Sequence, residues 1–461
     1  MIEGLKPYSE YKESGSKWLG DVPAKWEVRN LRTLISKRAE RDRPDLPLLS
    51  VAREKGVFVR SMTDADENHN VIPDDLTNYK VARAGNLVIN KMKAWQGSMG
   101  IAPCDGIVSP AYFVFDFRIA NHAFGQRLLR SKPYVAHFAQ VSDGVRIGQW
   151  DLSIPGMRQI PVLVPSEDEQ AAIVRFLDHA NRKIDGFIRA KRMLIGLLNE
   201  QKQAIIHRAV TRGLRLDVPL KPSGIPWLGD IPQHWDVSPA RALFTEVIER
   251  GHAEEQMLSV TIKRGIITQA QLLENSVKKD SSRQDRSSYK LVRVGDIAYN
   301  KMRAWQGAFG ASTLGGIVSP AYVVIRPRSD ISCRFYHYLF RTPSFATEAE
   351  RWSYGIASDM WSLRPEHFRL IKLPAPKVTE QNEIAEYLDR ELVQYDTAIA
   401  RTEREIALMQ EYRTRLTADL VTGKLDVREA AAKLPSLPVD AAAEPAPDEP
   451  LEEIETEGIE A

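Results

Sequence analysis

Cysteine is nearly absent. Cys104 and Cys333 are the two in 461 residues, and they belong to no Cys-x-x-Cys or Cys/His cluster, so the sequence offers neither a disulfide framework nor a zinc site. Both read as small packing residues. No run of about 18 apolar residues is present to span a membrane, and the opening MIEGLKPYSEYKESG lacks the charged-then-apolar layout of a signal peptide. The expected location is the cytoplasm. Catalytic signatures are missing as well: there is no GxxxxGKS/T loop, no GxGxxG after a strand, no HExxH and no GxSxG. Pro73-Asp74 is not followed within the next forty residues by an acid-x-Lys pair, and His179, His207, His234 and His252 have no acid at a spacing shared by both halves of the chain. These absences point to a non-catalytic, metal-free protein.

Hydrophobic residues at 43% and charged ones at 27% suit a globular chain, and the length suggests two or more domains. The formal charge of +2 conceals an asymmetry. Beyond Lys433 lie nine acids and no base, and removing those nine carboxylates raises the charge from +2 to +11. A body that basic suits a polyanionic partner. The Ala-, Pro- and Glu-rich tail reads as disordered.

The chain is written twice. SGSKWLGDVPAKWEV at 14 to 28 recurs as SGIPWLGDIPQHWDV at 223 to 237, NKMKAWQGSMG at 90 to 100 recurs as NKMRAWQGAFG at 300 to 310, and GIVSPAY stands at 106 to 112 and 316 to 322. Trp150, Gln170, Asp178 and Asp185 match Trp361, Gln381, Asp389 and Asp396, with the offset always between 209 and 211. Such a repeat is a duplicated domain, too long for a solenoid unit. The Ser-Pro-Ala-Tyr pair differs from the Asn/Asp-Pro-Pro-Tyr/Phe motif of amino-methyltransferases in its serine and alanine, and no glycine-rich cofactor loop precedes it. It reads as a repeated strand-edge turn.

Short apolar or alternating runs such as NLVIN, YFVFDF, DIAYN and YVVIRP predict strands that do not alternate cleanly with helices, so each half begins as an α+β globule. A proline-bounded segment, IPVLVPSEDEQ or IKLPAPKVTEQ, then opens a long helix. Steps of three and four give the seam Ile173, Leu177, Ala180, Ile184, Phe187, Lys191, Leu194, Leu198, Gln201, Ile205 in the first helix. The second reads Leu388, Leu392, Tyr395, Ile399, Thr402, Ile406, Met409, Arg413, Leu416, Leu420. So narrow a stripe predicts a coiled-coil pair; packing of each helix on its own globule is the alternative. About 40 helical residues span on the order of 60 Å. The expected domains are globules at 1–165 and 213–376, helices at 166–212 and 377–430, and an acidic tail at 431–461.

Two globules opened by Trp-Leu-Gly-Asp-x-Pro-x-x-Trp, each followed by a helix opened by Pro-x-x-x-Glu-Gln and closed by AVTRGLRLD or LVTGKLD, resemble the specificity subunits of type I restriction-modification systems. The likeness spans about residues 4 to 430. It implies two target recognition domains that read the halves of a bipartite site in double-stranded DNA, and an antiparallel coiled coil that sets their spacing. The implied partners are two methyltransferase (M) subunits and restriction (R) subunits. S-adenosylmethionine would belong to the M subunits and ATP with Mg2+ to the R subunits, leaving this chain without a cofactor.

Sequence choice should lie where the halves differ: residues 40 to 80 and 245 to 290, and loops near 142 to 149 and 353 to 360. The candidates are Arg53, Lys55, Arg60 and Arg146 in the first half and Lys263, Arg264, Arg283 and Arg286 in the second. Lys91, Lys93, Lys301 and Arg303 flank Trp95 and Trp305. The tryptophans read as core, and the four bases as either phosphate contacts or solvated surface.

Overall fold

The structure is a computed structural model, and it describes residues 5–60, 75–144, 150–274, 286–328, 330–355 and 361–435. These form two compact units. One holds the described residues up to Lys191 and those from Arg404 on; the other runs from Arg192 to Glu403. Each is a globule plus part of each long helix. Among the described residues no helix is long and apolar enough to cross a membrane.

In the first unit four antiparallel strands lie in the order Ile35–Lys37, Tyr112–Phe117, Leu87–Asn90, Met99–Ile101. The Leu87–Asn90 strand is buried throughout because its two faces serve different cores. Leu87 and Ile89 pack with Phe124, Leu128 and Tyr134, whereas Val88 packs with Leu49, Val51 and Val57. A strand covered on both faces gains from being apolar at every position, which is why this run does not alternate. The helices His122–Leu129 and Lys132–Gln140 thus share the larger core, and a β-hairpin covers the other face. The second unit repeats the plan with Phe244–Glu246, Tyr322–Pro327, Ile297–Asn300 and Phe309–Ala311. There Ile297 and Tyr299 face the larger core, and Ala298 faces Leu258, Val260 and Ile266.

The Glu-Gln that opens each long helix anchors it. Gln170, buried, donates from Nε2 to Pro165 O at 2.9 Å and accepts from Asn121 N at 3.0 Å. Gln381 makes the same pair with Pro376 O (2.8 Å) and Ser332 N (2.8 Å). The helices, Glu167–Arg212 and Val378–Val421, pair antiparallel. In the first unit Asp185 meets Arg413 and Lys191 meets Glu405 at 2.7 Å; in the second Lys202 meets Asp396, while Gly213 lies beside Glu380. Both ways of burying the stripe are used at once. Ile173, Phe176 and Leu177 join their own globule's core together with Leu416, Leu420 and Val421 of the other helix.

The seam follows the expected register only in part. In the first helix Ile173, Leu177, Ala180 and Ile184 are buried, but then Ile188 turns inward and Phe187 is 37% exposed. Leu194, assigned to the seam, is 39% exposed, while Ile195 is half-buried. Leu198 is half-buried. The cause is the helical period: Ile173, Ile184, Ile195 and Ile206 recur every eleven residues, about 3.67 per turn, and a strict heptad drifts roughly 20° per repeat from a straight helix. In the second helix Leu388, Leu392, Thr402, Ile406, Leu416 and Leu420 are buried and Ile399 is half-buried.

The C-terminal boundaries are also corrected. The second helix ends at Val421 rather than near 430, and Arg428–Ala432 form a separate short helix. Residue 431 does not begin a tail, because Val427 and Ala431 are buried in the first unit's core beside Trp26. Asp426 N donates to Lys6 O at 2.8 Å, and Arg175 Nη2 to Leu434 O at 2.5 Å. Residues 436–461, with their nine acids, lie outside the described residues. Ending the chain at Val421 is therefore expected to destabilise the first unit by about 3 kcal/mol, the loss of one buried valine and its neighbours. Ending it at Pro435 should leave the melting temperature unchanged, and thermal denaturation of the two truncations checks both.

Candidate nucleic-acid interface

On the open face of each sheet sits a hairpin: Leu49–Ala52 with Gly56–Val59, and Leu258–Thr261 with Gly265–Thr268. The turns are three residues long, Arg53-Glu54-Lys55 and Ile262-Lys263-Arg264, and each closes on a glycine with positive φ, Gly56 (φ 72°) or Gly265 (φ 70°). A glycine in the left-handed region is what a three-residue hairpin turn requires. The hairpin crosses the edge strand very closely. A Cβ on Gly100 would stand 2.9 Å from Val57 N, and one on Gly310 would stand 2.7 Å from Ile266 N. The glycine ending the repeated Asn-Lys-Met motif therefore makes room for the hairpin backbone.

These turns bring together part of the expected set. The Arg53 side chain is 68% exposed at one tip with Lys55 beside it, and Lys263 and Arg264 are exposed at the other. Lys55 lies 5.1 Å from the Phe58 ring centre. Arg60 ends the first hairpin, half-buried, its N–H on Leu48 O at 2.8 Å. Arg286 is half-buried and capped locally, its carbonyl accepting from Tyr289 N at 3.0 Å. Arg146 and Arg283 lie outside the described residues, as do 145–149 and 356–360 of the two expected loops.

The Asn-Lys-Met motif forms a tight turn. Asn90 Oδ1 accepts from Met92 N at 3.2 Å and Asn300 Oδ1 from Met302 N at 3.0 Å, which sends Ala94 and Ala304 into the core. Trp95 and Trp305 are not core residues. Both are half-buried, because the turn leaves them along the surface with Nε1 donating locally to Met92 O (3.1 Å) and Met302 O (2.9 Å). Each lies against a second tryptophan: Trp95 against Trp150 at 5.1 Å and Trp305 against Trp361 at 5.9 Å. Lys91 is engaged by Asp151 at 3.0 Å, whereas Lys93 is exposed. Lys301 is half-buried; Arg303, also half-buried, lines with Asn300, Tyr322, Ser259 and Ile262 a hollow of about 10 Å³, too small for more than a water.

Sequence reasoning missed a lysine in each half. Lys80 Nζ donates to Pro110 O (2.7 Å) and Tyr112 O (2.6 Å), and Lys290 Nζ to Tyr322 O (2.6 Å). They hold the Ser-Pro-Ala-Tyr turn, in which Tyr112 N donates to Ser109 O at 2.9 Å and Tyr322 N to Ser319 O at 3.0 Å. Burial lowers the pKa of both ammonium groups. The signal was available: Tyr-Lys followed by two apolar residues stands at 79 and at 289.

Two basic tips on duplicated scaffolds invite comparison with known proteins. The specificity subunit of the type I restriction enzyme StySPI from Salmonella potsdam is 30% identical over 101 residues, 22% of this chain and 21% of that protein. The chain is similar to type I restriction enzyme specificity subunits. That of EcoKI from Escherichia coli K12 is 30% identical over 102 residues, 22% of each chain. The chain thus spans about a fifth of the length of the curated relatives it matches. A chain of a type I R-M system, solved in work on its complex assembly and conformational transition, superposes with a TM-score of 0.59 at 14% identity, covering 87% of this chain and 98% of that one. Two α+β globules with paired long helices are thus an established fold. No family model matches the chain.

Proposed function

We propose that this chain is the specificity subunit of a type I restriction-modification complex, reading a bipartite site in double-stranded DNA with the globules at 1–165 and 213–376. The observation that carries the reading is the pair of hairpins: equivalent scaffolds present differing basic tips, Arg-Glu-Lys and Ile-Lys-Arg. Phosphate contacts give affinity and register while base-edge contacts give sequence choice, so a shared frame with unlike tips reads unlike half-sites. Lys93, exposed beside the tryptophan pair, suits a phosphate contact.

The long helices would receive two M subunits. Apolar side chains exposed on them, among them Met193, Leu197 and Leu408, support a protein partner there. R subunits would complete the complex, with S-adenosylmethionine in the M subunits and ATP with Mg2+ in the R subunits. Such a complex works in the cytoplasm, on the host's own DNA and on entering DNA. The purified chain alone is expected neither to methylate nor to cleave DNA, and to direct methylation of a split site once M subunits and S-adenosylmethionine are added. Methyl transfer by the isolated chain, or a reconstituted complex that methylates without sequence choice, rejects the reading.

A further inference from the structure

Beneath each hairpin tip lies an arginine that closes the helix behind the edge strand. Arg130 follows His122–Leu129 and Arg341 follows Cys333–Phe340, at equivalent places in the two units. Arg130 Nη2 donates to Arg53 O at 2.5 Å and to Glu54 O at 2.7 Å. Arg341 Nη2 donates to Ile262 O at 2.9 Å and also to Lys263 O. The fit is close: a Cβ on Gly56 would stand 2.9 Å from Arg130 Nη1, and one on Gly265 would stand 2.9 Å from Arg341 Nη1.

A second side chain, one helical turn earlier, ties the same helix to the edge strand. Gln126 Oε1 accepts from Ile101 N at 2.7 Å, and His337 Nδ1 accepts from Ala311 N at 3.2 Å, with Nε2 at 3.2 Å from Arg341 Nη1. Helix, edge strand and hairpin tip are thus joined by two side chains in each unit. Both arginines are half-buried, and desolvation lowers the pKa of each guanidinium group. Drawing a cation out of water is unfavourable unless it gains partners, and Arg130 donates to two consecutive turn carbonyls. A guanidinium nitrogen that donates to two consecutive carbonyls at once holds both in place, which an apolar filler cannot do.

We propose that Arg130 and Arg341 are positioning residues for sequence reading: each locks the backbone of its hairpin tip, so that the side chains at 53 to 55 and 262 to 264 meet DNA in one direction. The inference rests on the function proposed above. The test uses the full chain assembled with M subunits, carrying Arg130→Met, Arg130→Lys, Arg341→Met or Arg341→Lys. Methylation rates are compared on the cognate site and on sites with one mismatch in either half. Arg130→Met should cut discrimination in one half-site roughly tenfold, the scale of one base-edge contact, and leave the other half-site and non-specific affinity unchanged. Arg341→Met should do the reverse, and the lysine variants should restore part of each loss. Amide exchange at residues 53 to 56 of the free chain should quicken in Arg130→Met while the core amides stay protected.

Unchanged discrimination in both half-sites overturns the proposal, and so does an equal loss in both or a loss of non-specific affinity alone. If the wild-type complex shows no sequence choice, the function reading fails and this proposal with it. The exchange experiment distinguishes the two failures, since it reads the tie between arginine and tip without DNA.

Discussion

With four residues inserted into each long helix, the mapped methylation sites are expected to keep both half-sequences while the gap between them grows by one or two base pairs. The insertions go between Lys191 and Lys202 in the first helix and between Asp396 and Glu405 in the second, segments bounded by ion pairs that fix the antiparallel register. Four residues add about 6 Å of helix and roughly 40° of rotation. B-DNA advances about 3.4 Å per base pair, so one or two extra pairs match the added length. Neither hairpin is altered, and neither half-sequence should change. An insertion in one helix alone shifts every later partner by more than a turn, separating Asp185 from Arg413 or Lys202 from Asp396, and should weaken assembly. Genome-wide methylation mapping decides the matter: an active complex with an unchanged gap rejects the helices as a spacer.

Exchanging residues 30 to 150 for the same stretch of a relative with another recognition sequence should replace one half of the methylated site and leave the other intact. The reason is how each unit is built. The hairpin, the sheet beneath it and the arginine tying its tip all fall within that stretch, while the strand pair Glu27–Asn30 with Pro161–Val164 frames it and remains almost whole. The second unit has its own hairpin, sheet and arginine, none of them touched. Change in both halves, or in neither, would mean that reading is shared between the units.

What could be read from the sequence and what could not have physical reasons. The duplication was legible because a constant offset survives any drift in side chains, and the strand Leu87–Asn90 because three successive apolar residues ending at an asparagine have few other places to go. The helix starts were legible from proline and Glu-Gln, whose buried glutamines turn out to anchor each helix. Leu194 was misplaced because a heptad template rounds the helical period, and the error grows along the chain. Trp95 and Trp305 misled because size predicts burial only on average; here a tight turn had already committed the neighbouring alanine to the core. Arg130 and Arg341 match at the repeat offset, as Leu-Leu-Arg-Ser and Leu-Phe-Arg-Thr, but the match does not say what they hold. Their partners are backbone carbonyls of Arg53 and Ile262, 77 and 79 residues away, and a carbonyl has no sequence signature.

Among the described residues the first unit takes its core from stretches far apart in the chain, Trp26 packing with Leu420 and Val427, whereas the second is one continuous stretch. During synthesis the second unit therefore has all of its described residues outside the ribosome before the first has its own. The globule that emerges first must wait, with Trp26 and Val22 uncovered, until some four hundred later residues have been translated. A message cut short anywhere before the last helix yields a first unit with an open core, a natural mark for proteolysis. The order of completion thus makes the first unit, although translated first, the later of the two to close its core.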